Sequence, residues 1–133
     1  MSPLLDTHVW LWWLTGAGRL PPAQRRALDA AAQREPPAIS AISLWEAQML
    51  VARGRLQPTE DFARWIERVA GPEVVTILPI DVEVIQALHG LPSTFHGDPA
   101  DRIIVATARA HALRLATHDA VIRRARAVRL WQP

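Results

Sequence analysis

The stretch GDPADRIIVATARAHALRLATHDAVIRR, residues 97–124, decides how this chain folds. Asp98 followed by Pro99 is a helix start: the acid accepts from the first free N–H groups, and proline sits where no N–H is missed. The helix predicted from that start runs over 98–112. LRLATH (113–118) then reads as a strand, and DAVIRRA (119–125) as a short helix. Helices that alternate with strands imply a parallel sheet covered on both faces.

The same alternation extends outward. PLLD (3–6) reads as a first strand and runs straight into the helix THVWLWWLTG, capped by Thr7 and ended by Gly16. PPAQRRALDAAAQRE (21–35) is a helix with prolines at its start, and PAISAI (37–42) is a strand. SLWEAQMLVARGRL (43–56) is a helix with Ser43 as cap and Gly54 as stop, and TEDFARWIERVAG (59–71) is another, capped by Thr59. EVVTILPI (73–80) is strand-like, DVEVIQALHGL (81–91) is a helix capped by Asp81, and AVRLW (127–131) is a last strand. The strands lack polar alternation, as expected for a sheet buried on both sides. The expectation is one α/β domain over residues 1–133, a three-layer α/β/α sandwich with a central, mostly parallel sheet of about four to five strands.

Composition narrows the chemistry. With 133 residues, 50% of them apolar, the chain is long enough to bury a core and is not disordered. There is no cysteine, which excludes disulfides, thiolate zinc sites and cysteine nucleophiles. All 15 basic residues are arginine, and the net charge is only +2, so charge alone is weak support for a nucleic-acid partner. The apolar run Val9–Leu14 is too short to cross a bilayer, and no basic segment precedes it as in a signal peptide. A cytoplasmic protein with no membrane partner is expected.

The acids carry the functional signal. Asp6 ends the first strand, and Asp119 directly follows LRLATH, so both fall at the carboxyl edge of the sheet, where open α/β folds place their sites. Glu46 lies in the helix after PAISAI and points to that edge too. Asp98 and Asp101 share one helix face, on an edge that spacing leaves open. Each acid also has a plain structural role available. Ser43 and Glu46 match a capping box, Asp98 and Asp119 match helix caps, and Asp101 suits the helix dipole. Asp6 is harder to explain that way, because it follows buried-looking residues where an unpaired charge is costly. Carboxylates that are gathered together need a compensating cation, and an all-oxygen ligand set selects a hard one, Mg2+ or Mn2+. Hydrolysis of a phosphodiester is the chemistry such an ion favours.

Taken in order, LLDTHVWLWWL, AISLWEAQMLVARGRL, GDPADRIIVATARAHALRLATHD and the closing T-x-D at Thr117 and Asp119 resemble the PIN-domain ribonucleases, and among them the VapC toxins of bacterial toxin–antitoxin pairs. The resemblance spans nearly the whole chain. It implies a PIN-like sandwich, cleavage of RNA with Mg2+ (or Mn2+), a homodimer, and inhibition by a small antitoxin whose tail enters the site. It assigns Asp6, Glu46 and Asp101 to the metal, with Asp119 completing the shell or orienting the attacking water. Thr7 and Thr117 are the supporting hydroxyls. Asp98 is an acid that only some members carry, so it stands as a metal ligand or as a helix cap alone. Arg102 occupies a position where a small residue is frequent; pairing with an acid, touching RNA and simple solvation are its three options. Arg123 and Arg124, in a basic C-terminal cluster, are further candidates for RNA contact.

The histidines show no zinc spacing. His8 and His118 are expected as packing or hydrogen-bonding residues beside the site. Trp10 and Trp13 are expected in the core, with one tryptophan of the first helix free for an antitoxin groove, and Trp45 and Trp65 in the core or a dimer contact; stacking on RNA bases is the lesser option for any of them. A non-catalytic PIN-like module that holds RNA or a protein is the alternative function. A haloacid-dehalogenase-type phosphatase would need D-x-D where Asp6-Thr7-His8 stands, and no glycine-rich nucleotide loop follows the first strand.

Overall fold

The computed structural model describes residues 1–133. Its elements in order are β1 (Leu4–Leu5), α1 (Thr7–Thr15), α2 (Pro22–Arg34), β2 (Ala38–Ser40), α3 (Ala41–Ala52), α4 (Phe62–Val69), β3 (Thr76–Leu78), α5 (Val82–His89), α6 (Pro99–Ala110), β4 (Leu115–Ala116) and α7 (Ala120–Ala125). The strands pair in parallel in the order β3-β2-β1-β4. The predicted fifth strand, 127–131, is reduced to one parallel bridge between Leu130 and Leu115.

Neighbouring residues of a strand point to opposite faces, so even a two-residue strand feeds both helical layers. Leu4 and Leu115 pack on one face with Val84 and Ile104. Leu5 and Ala116 pack on the other with Trp10, Ile39 and Trp65. This double burial is why β1 and β4 read as apolar runs; β3, at the sheet edge, departs from the expected burial, with Thr76 and Ile77 exposed. Leu115 in β4 is fully buried. Leu115→Ala is expected to cost about 2–5 kcal/mol through lost burial plus a cavity. Chemical denaturation would show this, and a loss below ~1 kcal/mol would contradict the two-layer packing.

Several helix starts lie away from the positions expected. Asp6 caps α1, not Thr7. Ser40 caps α3 through Ile42 N, so the helix begins at Ala41 and Ser43 lies inside it with no capping box to Glu46. Asp61, not Thr59, precedes α4. The caps expected at Asp81, Asp98 and Asp119 are present, each carboxylate accepting from a backbone N–H in the first turn.

The chain steps outward from β1 to β2 to β3, then returns across the sheet to β4. The strand order therefore reverses beside β1, and the crevice at the carboxyl ends near that reversal is where open α/β sheets bind ligands. α6 feeds β4 and must run antiparallel to it, which brings its first turn, with Asp98 and Asp101, to that same edge. Sequence spacing had left this edge undecided.

Candidate active site

Asp6, Glu46, Asp98 and Asp101 line one cavity of about 460 Å³. They come from separate parts of the chain: the end of β1, the middle of α3, and the cap and first turn of α6.

Asp6 is buried, and its charge is met by local donors. Oδ1 accepts from Thr7 N at 2.8 Å and Oδ2 from Thr117 Oγ1 at 2.6 Å. His8 Nδ1 lies 3.5 Å from Oδ2. The His118 N–H donates to His8 Nε2 at 3.0 Å, so His8 carries its proton on Nδ1, facing Asp6. His8 thus orients Asp6, as expected of a residue beside the site. The Thr7 hydroxyl bonds both Ser43 Oγ, at 2.7 Å, and Glu46 Oε1. Ser43 and Thr7, both read as caps from sequence, instead form a buried hydroxyl relay that fixes Glu46.

Glu46 is held above the usual carboxylate range by burial, partly offset by the Thr7 hydrogen bond and reinforced by the charges of Asp6 and Asp98. Asp101 is pushed up to about 7, first by burial and then by Asp98, Asp6, Asp119 and Glu46. Every cause acting on it raises it, and no donor offsets them. Asp98 accepts from Asp101 N at 2.8 Å, so it is the helix cap of α6, and it also lines the cavity. Gly97 is required just before it. A Cβ there would stand 2.7 Å from the Phe95 ring and 3.1 Å from Asp101 Cβ.

Asp119 stands outside the cavity lining. Its Oδ1 accepts from Ile122 N at 3.0 Å, and its own N–H donates to Thr117 Oγ1 at 3.0 Å. It reaches the cavity by charge, through Asp101, and by Thr117, which links it to Asp6. Thr117 is therefore more than a strand residue.

Arg102 neither pairs with an acid nor stands free in solvent. It donates to Phe95 O at 2.8 Å and lies over the Phe95 ring, pinning the loop before α6. Arg123 donates to Thr117 O at 3.0 Å, and Arg124 is exposed. None of the three lines the cavity. Trp10 and Trp65 are core residues, as expected, and Trp13 is only partly buried, its Nε1 donating to Asp29 at 2.8 Å. Trp12 packs between His8 and His118, with ring centroids 4.8 and 5.5 Å away. Burial and the nearby His8 and Arg123 lower the pKa of His118. Trp45 is not a core residue, one of its expected roles: it lies at the cavity, 54% exposed. Arg53 and Arg55 also line the cavity, and sequence reading passed over them. The helix stop at ARGRL, which turns the chain beside Glu46's helix, was the available signal.

The donors fit a hard divalent cation in kind, since the cavity's acids offer only oxygen and repel one another. No three Asp, Glu or His side chains close around one point to hold an ion by themselves. Mg2+ does not require a closed protein shell, since it keeps several waters and takes one or two carboxylates together with substrate phosphate oxygens.

The PIN domain family model matches residues 4–128. This chain belongs to the PIN-domain family. Within the family it falls with the VapC proteins: ribonuclease VapC22 of Mycobacterium tuberculosis (strain ATCC 25618 / H37Rv) is 38% identical over 120 residues, 90% of this chain and 88% of that protein. Among solved structures, the fold of this PIN domain is similar to VapBC2 of Rickettsia felis bound to a promoter DNA fragment, with a TM-score of 0.73 at 17% identity over 98% of each chain. FitAcB of Neisseria gonorrhoeae gives 0.65 at 25% identity over 97% of this chain and 96% of that one. A toxin–antitoxin complex from Klebsiella pneumoniae gives 0.60 at 25% identity over 89% and 87%. The α/β PIN fold expected from sequence is the fold observed.

Proposed function

We propose that this PIN domain is a Mg2+-dependent endoribonuclease, the toxin of a toxin–antitoxin pair, acting in the cytoplasm as a homodimer and restrained by a small antitoxin. The observation that carries the reading is the meeting of Asp6, Glu46, Asp98 and Asp101 in one cavity at the carboxyl edge of the sheet. Its VapC22 relative is named a ribonuclease, and the Klebsiella neighbour is a toxin–antitoxin complex.

In this reading Asp6, Glu46 and Asp101 hold the ion, directly or through water, and Asp98 adds charge at the rim. Bound there, Mg2+ (or Mn2+) supplies an acidified water and stabilises charge building on the phosphate. Thr7 and Thr117 fix the acids' rotamers, which is how outer-shell groups sharpen a site. Asp119 acts through Thr117 and through its charge on Asp101. Arg123 and Arg124 lie outside the cavity; contacts to RNA beyond the cut phosphate are their proposed part. Arg102 serves this function by holding the loop that carries Gly97 and Asp98.

The rival reading, a non-catalytic module that binds RNA or protein, draws on the absence of a closed three-carboxylate shell. For RNA binding alone it leaves Asp101 unexplained, since such a surface has no use for a carboxylate crowded by four others. The deciding experiment uses the purified protein, freed of any antitoxin and sized as a dimer. Cleavage of RNA with Mg2+ or Mn2+, abolished by EDTA and restored by added metal, is expected. Cleavage indifferent to EDTA, or none under any metal, would set the proposal aside.

A further inference from the structure

One wall of the cavity has no part in the site described so far. Trp45, Met49 and Arg53 follow at four-residue intervals along α3 and its C-cap, which sets them in a row on one face. All three line the cavity that holds the acids. Gly54, with φ of 70°, then turns the chain. Arg55, its N–H donating to Leu50 O at 2.9 Å, brings a second guanidinium to the same cavity.

Two features separate this wall from ordinary packing. Trp45 is 54% exposed while Trp10 and Trp65 are buried. Neither Arg53 nor Arg55 pairs with an acid, although acids line the same cavity; the ion pairs of the chain are His8–Asp6 and Arg68–Glu60. The cavity thus carries carboxylates, two guanidiniums that pair with none of them, and a half-exposed indole.

We infer that this wall is a nucleotide subsite: an unpaired RNA base stacks on Trp45 while Arg53 and Arg55 hold neighbouring phosphates, so the strand reaches the acids single-stranded. The inference rests on the nuclease reading above. An open aromatic face takes a base that has left its duplex stack, and stacking of this kind tolerates any base. Free guanidiniums complement a polyanion.

The test is fluorescence anisotropy with a short labelled oligoribonucleotide, with Ca2+ in place of Mg2+ so that the strand is bound and not cut. Trp45→Ala is expected to weaken binding by roughly 10-fold or more, and Trp45→Phe to keep most of the affinity. The double variant Arg53→Ala/Arg55→Ala should lower the salt slope by about 1 to 1.5. The strand annealed to its complement should bind more weakly than the single strand and be indifferent to Trp45→Ala. Wild-type melting temperatures are expected throughout, because these side chains are exposed or unpaired. Unchanged affinity and slope in the variants would overturn the subsite, as would a duplex bound as tightly as the strand. So would variants that keep oligonucleotide binding and lose only a basic antitoxin peptide, which would make the wall a protein groove. The two readings fail separately. Oligonucleotide bound through Trp45 but not cut in Mg2+ sinks the nuclease and leaves the subsite. Cutting and binding by Trp45→Ala at wild-type levels does the reverse.

Discussion

Asp101→Asn is expected to stop RNA cleavage and, in the metal-free protein at pH 8, to raise the melting temperature. The second half follows from the direction in which the cavity moves this acid. Asp101 binds its proton up to about pH 7 in the folded protein, against 3.8 for the ordinary side chain. Between those values the folded state keeps a proton that the unfolded state has lost, so stability falls as pH rises through that window. Above it, the whole penalty of an ionised Asp101 is present. Discounted for solvent screening, the penalty is roughly 1–2 kcal/mol, or about 3–8 °C in melting temperature. The helix dipole works the other way, since an ionised acid in the first turn gains about 0.3–1 kcal/mol. Burial and repulsion outweigh that gain, so removing the charge stabilises. At pH 4 the variant and wild type should melt together. Saturating Mg2+ should reverse the order at pH 8, because only the wild type gains binding energy from the ion. A variant that melts below wild type at pH 8 without metal would contradict the crowding of acids in the cavity.

Asp6→Asn is expected to abolish cleavage as well, but with the opposite effect on stability. Loss of a ligand should exceed the ~10–100-fold cost typical of losing an outer-shell partner. Asp6 also accepts two hydrogen bonds while buried, from Thr7 N and Thr117 Oγ1. An asparagine has one acceptor oxygen; if that oxygen keeps Thr7 N, the Thr117 hydroxyl faces an amide NH2, can only accept from it, and its own proton loses the carboxylate acceptor. An unsatisfied buried donor costs about 1–3 kcal/mol. Relief of repulsion is smaller here, because the other acids act across an open cavity while the donors are in contact. Thermal melting at pH 8 should therefore fall by several degrees, and a rise like that of Asp101→Asn would refute this division of roles. The two acids are alike in charge, and their surroundings alone separate them.

Much of this was legible in the sequence, for physical reasons that differ by residue. Alternation of helix and strand fixes a parallel sheet, and the carboxyl ends of its strands fix where Asp6 and Asp119 fall. Asp98 and Pro99 mark the start of α6 by local rules alone. What local rules miss is what tertiary contact overrides. Ser43 satisfies every requirement of a cap, but Ser40 offers the same chemistry three residues earlier, which leaves Ser43 free to bond Thr7. Thr7 likewise serves Glu46 because Asp6 already caps α1. Arg102 could not be placed by spacing, since its partner is a loop carbonyl. The exposed Trp45 and the unpaired Arg53 and Arg55 depend on how α3 lies against α6, which no single segment encodes. Asp119 follows its strand as expected, yet its carboxylate turns to Ile122 and not to the cavity.

The most direct test of the central claim is calorimetric titration of Mg2+ into the antitoxin-free protein at pH 7, where Asp101 is partly protonated. The account predicts saturable binding in the wild type, with proton release as Asp101 ionises, and loss of that binding in both Asp6→Asn and Asp101→Asn. No binding by the wild type, or equal binding by all three proteins, would contradict it.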